Sequence, residues 1–391
     1  MAIDVDTLLS GLDRGGWLPL SPPGQNHPMV PESLLPEGDG VLVASGGSSG
    51  GRQVCLQPWS HLDQSAAATA SWLQGIGLDP SETLLLNPLP LHHVSGLMPW
   101  WRSRCWGARH QMLSKDLMKD PAALLQISRS WSFWRDDRPL LISLVPTQLA
   151  RLIAHPDGVK WLKSFAVIWM GGAALPQFLA EQARVHGVRL APCYGATETA
   201  AMVAALSPEA FLGGESGCGR PLRDVQFRLT EDGSLMVRTE RLAVARWSPD
   251  HQEVLNKLTD SQGWWRSGDA AVLGQSLTIL GRRDGAILSG GETVFPEQLE
   301  ARLIRAMTAT GLSEVPVLFL AEKDAEWGER LVALVGSENI AVVSALEQLT
   351  EPWSPAESPK RWLSCPTLKR SELGKWQRAE WRRWLESQHP V

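Results

Sequence analysis

An apolar run that ends in glycine recurs along this chain, and that recurrence constrains the fold more than any other feature. Val41-Leu42-Val43 runs into Ser45-Gly46-Gly47-Ser48-Ser49-Gly50-Gly51. Ala166-Val167-Ile168-Trp169-Met170 runs into Gly171-Gly172, and Val188–Ala191 leads to Tyr194-Gly195. Such runs read as buried strands. Helices are predicted between them. Ser60 and Asp63 form a capping box for one through Ala66–Leu73, which Gly75 and Gly77 stop; Pro176 opens another, which Gly187 ends. Strand, loop, helix, strand is the rhythm of an α/β fold with a largely parallel sheet.

The rhythm changes after about residue 220. Gln226–Leu229 and Ser234–Arg238 read as a hairpin, as do Ala270–Leu273 and Leu277–Leu280. From Asp284 a small α+β unit begins, with a helix near Pro296–Met307 and strands near Val317–Leu320 and Leu331–Val335. The boundary falls at Arg282–Gly285. It divides a large unit, residues 1–282, from a small one, residues 283–391. Residues 17–40 are rich in proline and read as extended.

Composition excludes several classes. With 391 residues, 43% hydrophobic and 20% charged, the chain has ample core for a globular protein. Its net charge of -5, with no dense basic block before the C-terminus, argues against a nucleic-acid footprint. No apolar run is long enough to span a bilayer. The N-terminal residues lack a signal peptide's basic start. The five cysteines are scattered, and none forms a C-x-x-C pair. Together these point to the cytoplasm, with neither a disulfide scaffold nor a zinc site.

The Ser45–Gly51 run has two readings. Glycine and serine make flexible linkers. They also let successive N–H groups turn inward and cradle phosphate oxygens. The strands on either side favour the second. Gly46 and Gly51 have P-loop spacing, but Arg52 and Gln53 follow where that motif has Lys and Ser or Thr. A Walker-type ATPase is therefore not indicated.

Four later stretches bear on the loop. Tyr194-Gly195-Ala196-Thr197-Glu198-Thr199 leaves the end of a predicted strand, where open α/β sheets bind ligands. Tyr194 offers a flat face, Thr197 a hydroxyl, and Glu198 a hard oxygen ligand for Mg²⁺; a capped helix start is the plainer reading. Ser267-Gly268-Asp269 offers a carboxylate for ribose hydroxyls, or a simple Asx-turn. Gly281–Pro296 straddles the domain boundary and reads equally as a linker. Leu368–Arg378 is a basic segment that, alone, reads as a solvated tail.

In this order the five stretches resemble the adenylate-forming superfamily of acyl-CoA ligases, luciferases and peptide-synthetase adenylation domains, over nearly all of Val41–Arg378. Leu89-Pro90-Leu91-His92-His93-Val94-Ser95-Gly96-Leu97, Val145–Leu149 and Gly171–Pro176 are similar to stretches of the o-succinylbenzoate–CoA ligases of menaquinone and phylloquinone biosynthesis.

The resemblance implies a large adenylate-forming domain of parallel-rich sheets with helices and a small β subdomain, plus a small mobile α+β domain. It implies ATP, Mg²⁺ and coenzyme A, acting on a small-molecule carboxylic acid through an acyl-adenylate. Ser45, Gly46, Gly47, Ser48, Ser49 and Gly50 would hold phosphates. Gly171, Gly172, Ala173, Tyr194 and Gly195 would line the adenine site, and Asp269 and Arg282 the ribose. Lys375, Glu198 and Thr197 would be catalytic, with Glu198 on the metal. Asp284 would be the hinge, Gly290 and Gly291 the coenzyme A channel, and His93, Ser95 and Gly96 the acid pocket.

This chain departs from the family pattern in three ways. Arg52-Gln53-Val54 replace the usual Pro-Lys-Gly after the glycine loop. Lys369 stands where the C-terminal motif often has proline. Less chain precedes the loop, so the large unit is expected to be shortened at its N-terminus. A ligase for another aryl or fatty acid, a domain that loads a carrier protein, and a non-catalytic nucleotide binder remain open.

Overall fold

The structure is a computed structural model that describes residues 4–21, 30–46, 52–135, 138–249, 254–308, 310–312, 315–324, 326–370 and 376–388. At its centre is a seven-stranded sheet. Five strands run parallel, in the order Leu190–Ala196, Phe165–Met170, Leu140–Leu144, Leu84–Asn87, Arg109–Met112. The antiparallel strands Ala201–Ala205 and Arg220–Pro221 extend one edge. The inner strands are buried almost throughout, which is why they read as continuous apolar runs. One face packs a core around Trp161, Phe165 and Phe211. The other packs Leu85, Val167 and Trp169 against residues of the later hairpins.

A second sheet holds the Ser45–Gly51 hairpin. Its strand Gly40–Gly46 pairs antiparallel with Arg52–Pro58, in a register that closes at Gly46 opposite Arg52. Trp17–Leu20 lies parallel beside the first of these, and Ala245–Trp247 antiparallel beside the second. Within residues 17–40 there is thus a strand as well as a 3₁₀ turn at Glu32–Leu34, rather than extended chain throughout. A third, antiparallel sheet orders Gln226–Leu229, Ser234–Arg238, Trp265–Leu273 and Leu277–Arg282.

Beyond Arg283–Gly285, itself a 3₁₀ turn, the chain builds its own sheet and core. Val317–Asp324 and Gly328–Val335 form a long hairpin, with Arg361–Ser364 parallel at its edge and helix Pro296–Thr308 packed on it. Contacts reach back to the large unit at Gln177, which accepts from Arg305, and at Gly281, whose α-carbon faces Glu297 and Phe295.

Two local expectations need correction. The helix expected to open at Ser60 begins at Trp59, directly after Pro58, and Ser60 makes no cap. Pro58 is the N-cap residue, and the first helical N–H, that of Trp59, donates to the Asp39 carbonyl at 3.1 Å rather than to a capping side chain. His92 and His93 do not end a strand. His93 is the N-cap residue of helix Val94–Trp106.

Candidate active site

Tyr194, the chain's single tyrosine, lies near the C-terminal end of a parallel strand. Its hydroxyl donates to Asp269 Oδ2 at 2.5 Å. Asp269 lies opposite Arg282 in the neighbouring hairpin, and Arg282 Nη1 approaches Asp269 Oδ1 at 3.4 Å. Arg282 also donates to the Ser267 carbonyl at 3.0 Å and pairs with Asp284 at 3.2 Å. Burial pushes the Tyr194 hydroxyl well above its usual value, and the Asp269 charge adds to this, so the phenol keeps its proton. Burial also raises Asp269, although the Tyr194 hydroxyl and Arg282 act against it. Asp269 sits inside the nine-residue strand Trp265–Leu273 rather than in a turn. A bulge after Ala270 and the left-handed Gly268, φ +78°, bend the strand there.

Thr197–Thr199 forms one 3₁₀ turn after Tyr194, not the start of a longer helix. Each carbonyl along it is held from a different part of the chain. Thr197 O accepts from Gln57 Nε2 at 2.8 Å. Glu198 O accepts from Ala243 N at 2.8 Å. Thr199 O accepts from Arg241 Nη1 at 2.6 Å, and Ala200 O from Ser65 Oγ at 2.6 Å. Arg241 is wholly buried; it also donates to Met202 O at 2.9 Å and pairs with Asp224 at 2.6 Å. These bonds hold Ala200 and Ala201 at φ +49° and +77°, which cost about 1–3 kcal/mol each. A Cβ on Gly195 would meet Ala201 O at 2.2 Å, so only glycine fits beside that turn. Strain stored next to Glu198 fixes where its side chain leaves the backbone.

The Glu198 carboxylate is 12% exposed and faces Arg246 Nη1 at 3.9 Å. Among the described residues no group of three or more His, Cys, Asp or Glu is gathered for a metal ion. One carboxylate suits Mg²⁺ that arrives with substrate phosphates and keeps several waters. Glu198 therefore fits an ion that a nucleotide carries in.

Gly171, Gly172 and Ala173 leave the parallel strand beside Tyr194's, with Gly172 and Ala173 exposed. Ser45 and Gly46 end their strand, while Gly47, Ser48, Ser49 and Gly50 lie outside the described residues. Lys375 also lies outside them. The segments flanking it are anchored. Leu368 is buried, and Arg378 pairs with Glu300 at 2.8 Å and Glu297 at 3.2 Å, so these two flanking residues are packed rather than solvated. Gly290 and Gly291 form the turn between Ile287–Ser289 and Glu292–Val294. Asp284 lies in the 3₁₀ turn Arg283–Gly285, whose Arg283 pairs with Asp232 at 2.9 Å.

Of the acid-pocket residues, Ser95 is exposed on the first turn of its helix. Gly96 is buried against the Leu89–Pro90 backbone, where a Cβ would come 2.2 Å from Pro90 O. A side chain has no room at this position, which shapes the loop.

Sequence reading missed Arg102. It is 3% exposed, stacks 5.2 Å from the Trp169 ring centre, and buries Nε and Nη2 with no hydrogen-bond partner among the described residues. Burial pushes its guanidinium down to about 10, while the nearby Cys193 works against this. Cys193 Sγ in turn would lie 3.2 Å from a Cβ on Gly171. A desolvated arginine stacked on a ring gains about 2 kcal/mol or somewhat more, less than the several kcal/mol that burying an unpaired charge costs. An anionic partner would restore that balance. The only sequence signal was an arginine inside an otherwise apolar helix face.

Residues 58–240 match the family of AMP-binding enzymes. The chain is 30% identical over 304 residues to the 2-succinylbenzoate–CoA ligase of Escherichia coli strain K12, covering 78% of this chain and 60% of the relative. It thus spans about three fifths of the length of the curated relatives it matches. The o-succinylbenzoate CoA synthetase (MenE) of Bacillus subtilis, solved with the acyl-adenylate intermediate OSB-AMP, shares the fold. Its TM-score is 0.72 at 23% identity, over 88% of this chain and 68% of that one. A variant of E. coli MenE with bound OSB-AMS aligns over 99% of this chain and 81% of that one, at 26% identity and a TM-score of 0.67. Among the described residues no helix is long and apolar enough to cross a membrane.

Proposed function

We propose that the chain is an ATP-dependent acid–CoA ligase that converts o-succinylbenzoate to its CoA thioester through an acyl-adenylate. The observation that carries this is the Tyr194–Asp269–Arg282 chain of contacts, placed one turn from the Glu198 carboxylate at the end of a parallel strand. That is where open α/β sheets take nucleotides. The relatives named above support the choice of acid.

In the first step the acid carboxylate attacks the α-phosphate of ATP and pyrophosphate leaves. Anion must approach anion, so oriented cations and donors lower the barrier. Asp269 and Arg282 hold the ribose, and Tyr194 with Gly171, Gly172 and Ala173 flanks the adenine. Ser45–Gly50 supply donors to the outer phosphates, and Thr197 and Lys375 stabilise the charge that develops at the α-phosphate. Glu198 would hold Mg²⁺, which neutralises phosphate charge when bound. In the second step the coenzyme A thiol displaces AMP. Residues 283–391 turn about Asp284 to withdraw Lys375 and bring Gly290 and Gly291 to the pantetheine arm.

Arg102 takes the second carboxylate of o-succinylbenzoate. A buried guanidinium that gains an anion recovers the interaction its burial removed. Monocarboxylic aryl acids lack that group and leave Arg102 unsatisfied.

The test is AMP release dependent on ATP and coenzyme A, with o-succinylbenzoate beside benzoate, a cinnamate and a medium-chain fatty acid. A holo carrier protein serves as the alternative acceptor. Turnover confined to o-succinylbenzoate and coenzyme A is expected. Preference for another acid keeps the mechanism and discards the substrate. Transfer only to the carrier protein discards the acceptor.

A further inference from the structure

Three features meet at the open end of the second sheet. Glu198 projects toward it, the strand leaving the Ser45–Gly51 loop forms part of it, and Arg246 stands on the strand beside that one. We propose that Arg246 is a phosphate-binding cation that serves the pyrophosphate end of a bound nucleoside triphosphate. The proposal rests on the nucleotide reading above.

The register places it. Arg246 lies directly opposite Cys55, and Cys55 opposite Val43. Residues directly opposite in an antiparallel pair share a face, and residues two apart on one strand share it too. Gln57, Cys55, Gln53 and Arg246 therefore lie on one face. Gln57 reaches the Thr197 carbonyl from it, so this face looks onto the Glu198 turn. Gln53 pairs with Ser45 where the hairpin opens into the glycine loop. It is two residues from Cys55, about 7 Å of strand. An extended arginine side chain covers that distance.

The charges agree. A triphosphate brings several negative charges beside the Glu198 carboxylate, and the residues after the glycine loop supply no lysine. Arg246 is the cation that an ion pair places at Glu198 among the described residues. At 3.9 Å the two compensate each other's charge without a direct hydrogen bond. When Glu198 turns to a phosphate-bound cation, the guanidinium is released to phosphate oxygens, to which its planar fork donates in pairs. Arg246 is about a third exposed (35%), and at 3.9 Å its loss breaks no direct hydrogen bond to Glu198. The arginine can therefore be replaced without unfolding the chain.

The experiment measures binding, not turnover. ATP with Mg²⁺, pyrophosphate with Mg²⁺, and AMP are titrated by calorimetry into wild-type protein, Arg246→Gln and Arg246→Lys, with thermal melts as the folding control. Losing a charge-assisted hydrogen bond should weaken ATP and pyrophosphate about 10- to 100-fold in Arg246→Gln. AMP, which lacks the outer phosphates, should bind within about twofold of wild type. Arg246→Lys should recover part of the loss. ATP binding unchanged in Arg246→Gln overturns the proposal while leaving the nucleotide reading intact. Equal weakening of ATP and AMP also overturns it, since that marks support of the site's shape. A wild-type protein that binds neither nucleotide overturns both.

Discussion

Tyr194 and Asp269 share a 2.5 Å hydrogen bond across 75 residues of sequence, tying the central sheet to the third sheet at the edge of the candidate site. Neither group has water as an easy substitute, because both are largely buried. Tyr194→Phe leaves the Asp269 carboxylate without its closest donor. A hydrogen bond to a charged group contributes about 1.5–3 kcal/mol, so ATP affinity should fall by about tenfold or more. Calorimetric titration of ATP reads this directly; unaltered affinity would separate the pair from nucleotide binding.

Arg241 should matter to stability more than any exposed charge. Its guanidinium holds Thr199 O and Met202 O on either side of the strained alanines. Arg241→Met removes those donors and strands Asp224, which should cost about 3–5 kcal/mol in urea unfolding. Arg241→Lys keeps the charge but cannot reproduce the fork, so it should recover only part.

Gly96 and Ser95, though adjacent, should respond differently. Gly96→Ala forces a Cβ toward Pro90 O and should destabilise by about 1–3 kcal/mol. Ser95→Ala, on an exposed site, should stay within about 0.5 kcal/mol. Chemical denaturation distinguishes them.

Lys375→Ala should slow adenylation by about 10²- to 10³-fold, the usual effect of removing one charge-stabilising donor. Thioester formation from supplied acyl-adenylate should be largely spared. Equal loss in both half-reactions, measured by quenched flow, would refute the rotation of residues 283–391.

Acid should unfold the chain partly through His110. Burial pushes its imidazole from 6.5 down to about 4. Its folded pKa thus lies below the unfolded one, and the unfolded chain takes up the proton first. The stability this confers is complete above about pH 6.5 and is lost as the pH falls from there toward 4. His110→Gln should flatten that part of the profile, read from denaturant midpoints across pH 7.5 to 4.

Much of this architecture was legible because the parallel strands are buried on both faces and punctuated by glycine. Gln226–Leu229 and Ser234–Arg238 matched the expected hairpin residue for residue, since the Glu231-Asp232-Gly233 turn fixes its register. Helix starts were less legible. Trp59 follows a proline, which sets the entry without any capping side chain. Asp269 looked like a turn residue because glycine precedes it, yet cross-strand pairing with Arg282 keeps it in a strand. Arg102 and Arg241 were invisible because their meaning lies in burial, which no local spacing records. The same holds for the tryptophans, several of which pack ring against ring, Trp161 edge-on to Phe165 and Trp59 stacked on Trp101.

The four carbonyls from Thr197 to Ala200 are gripped by donors whose positions range from residue 57 to residue 243. Transplanting Thr197–Thr199 alone into another scaffold would therefore carry the letters of the motif without its shape. The transferable module is the turn together with Gln57, Ser65, Arg241 and Ala243, and variation at any one of these restricts what the others can become.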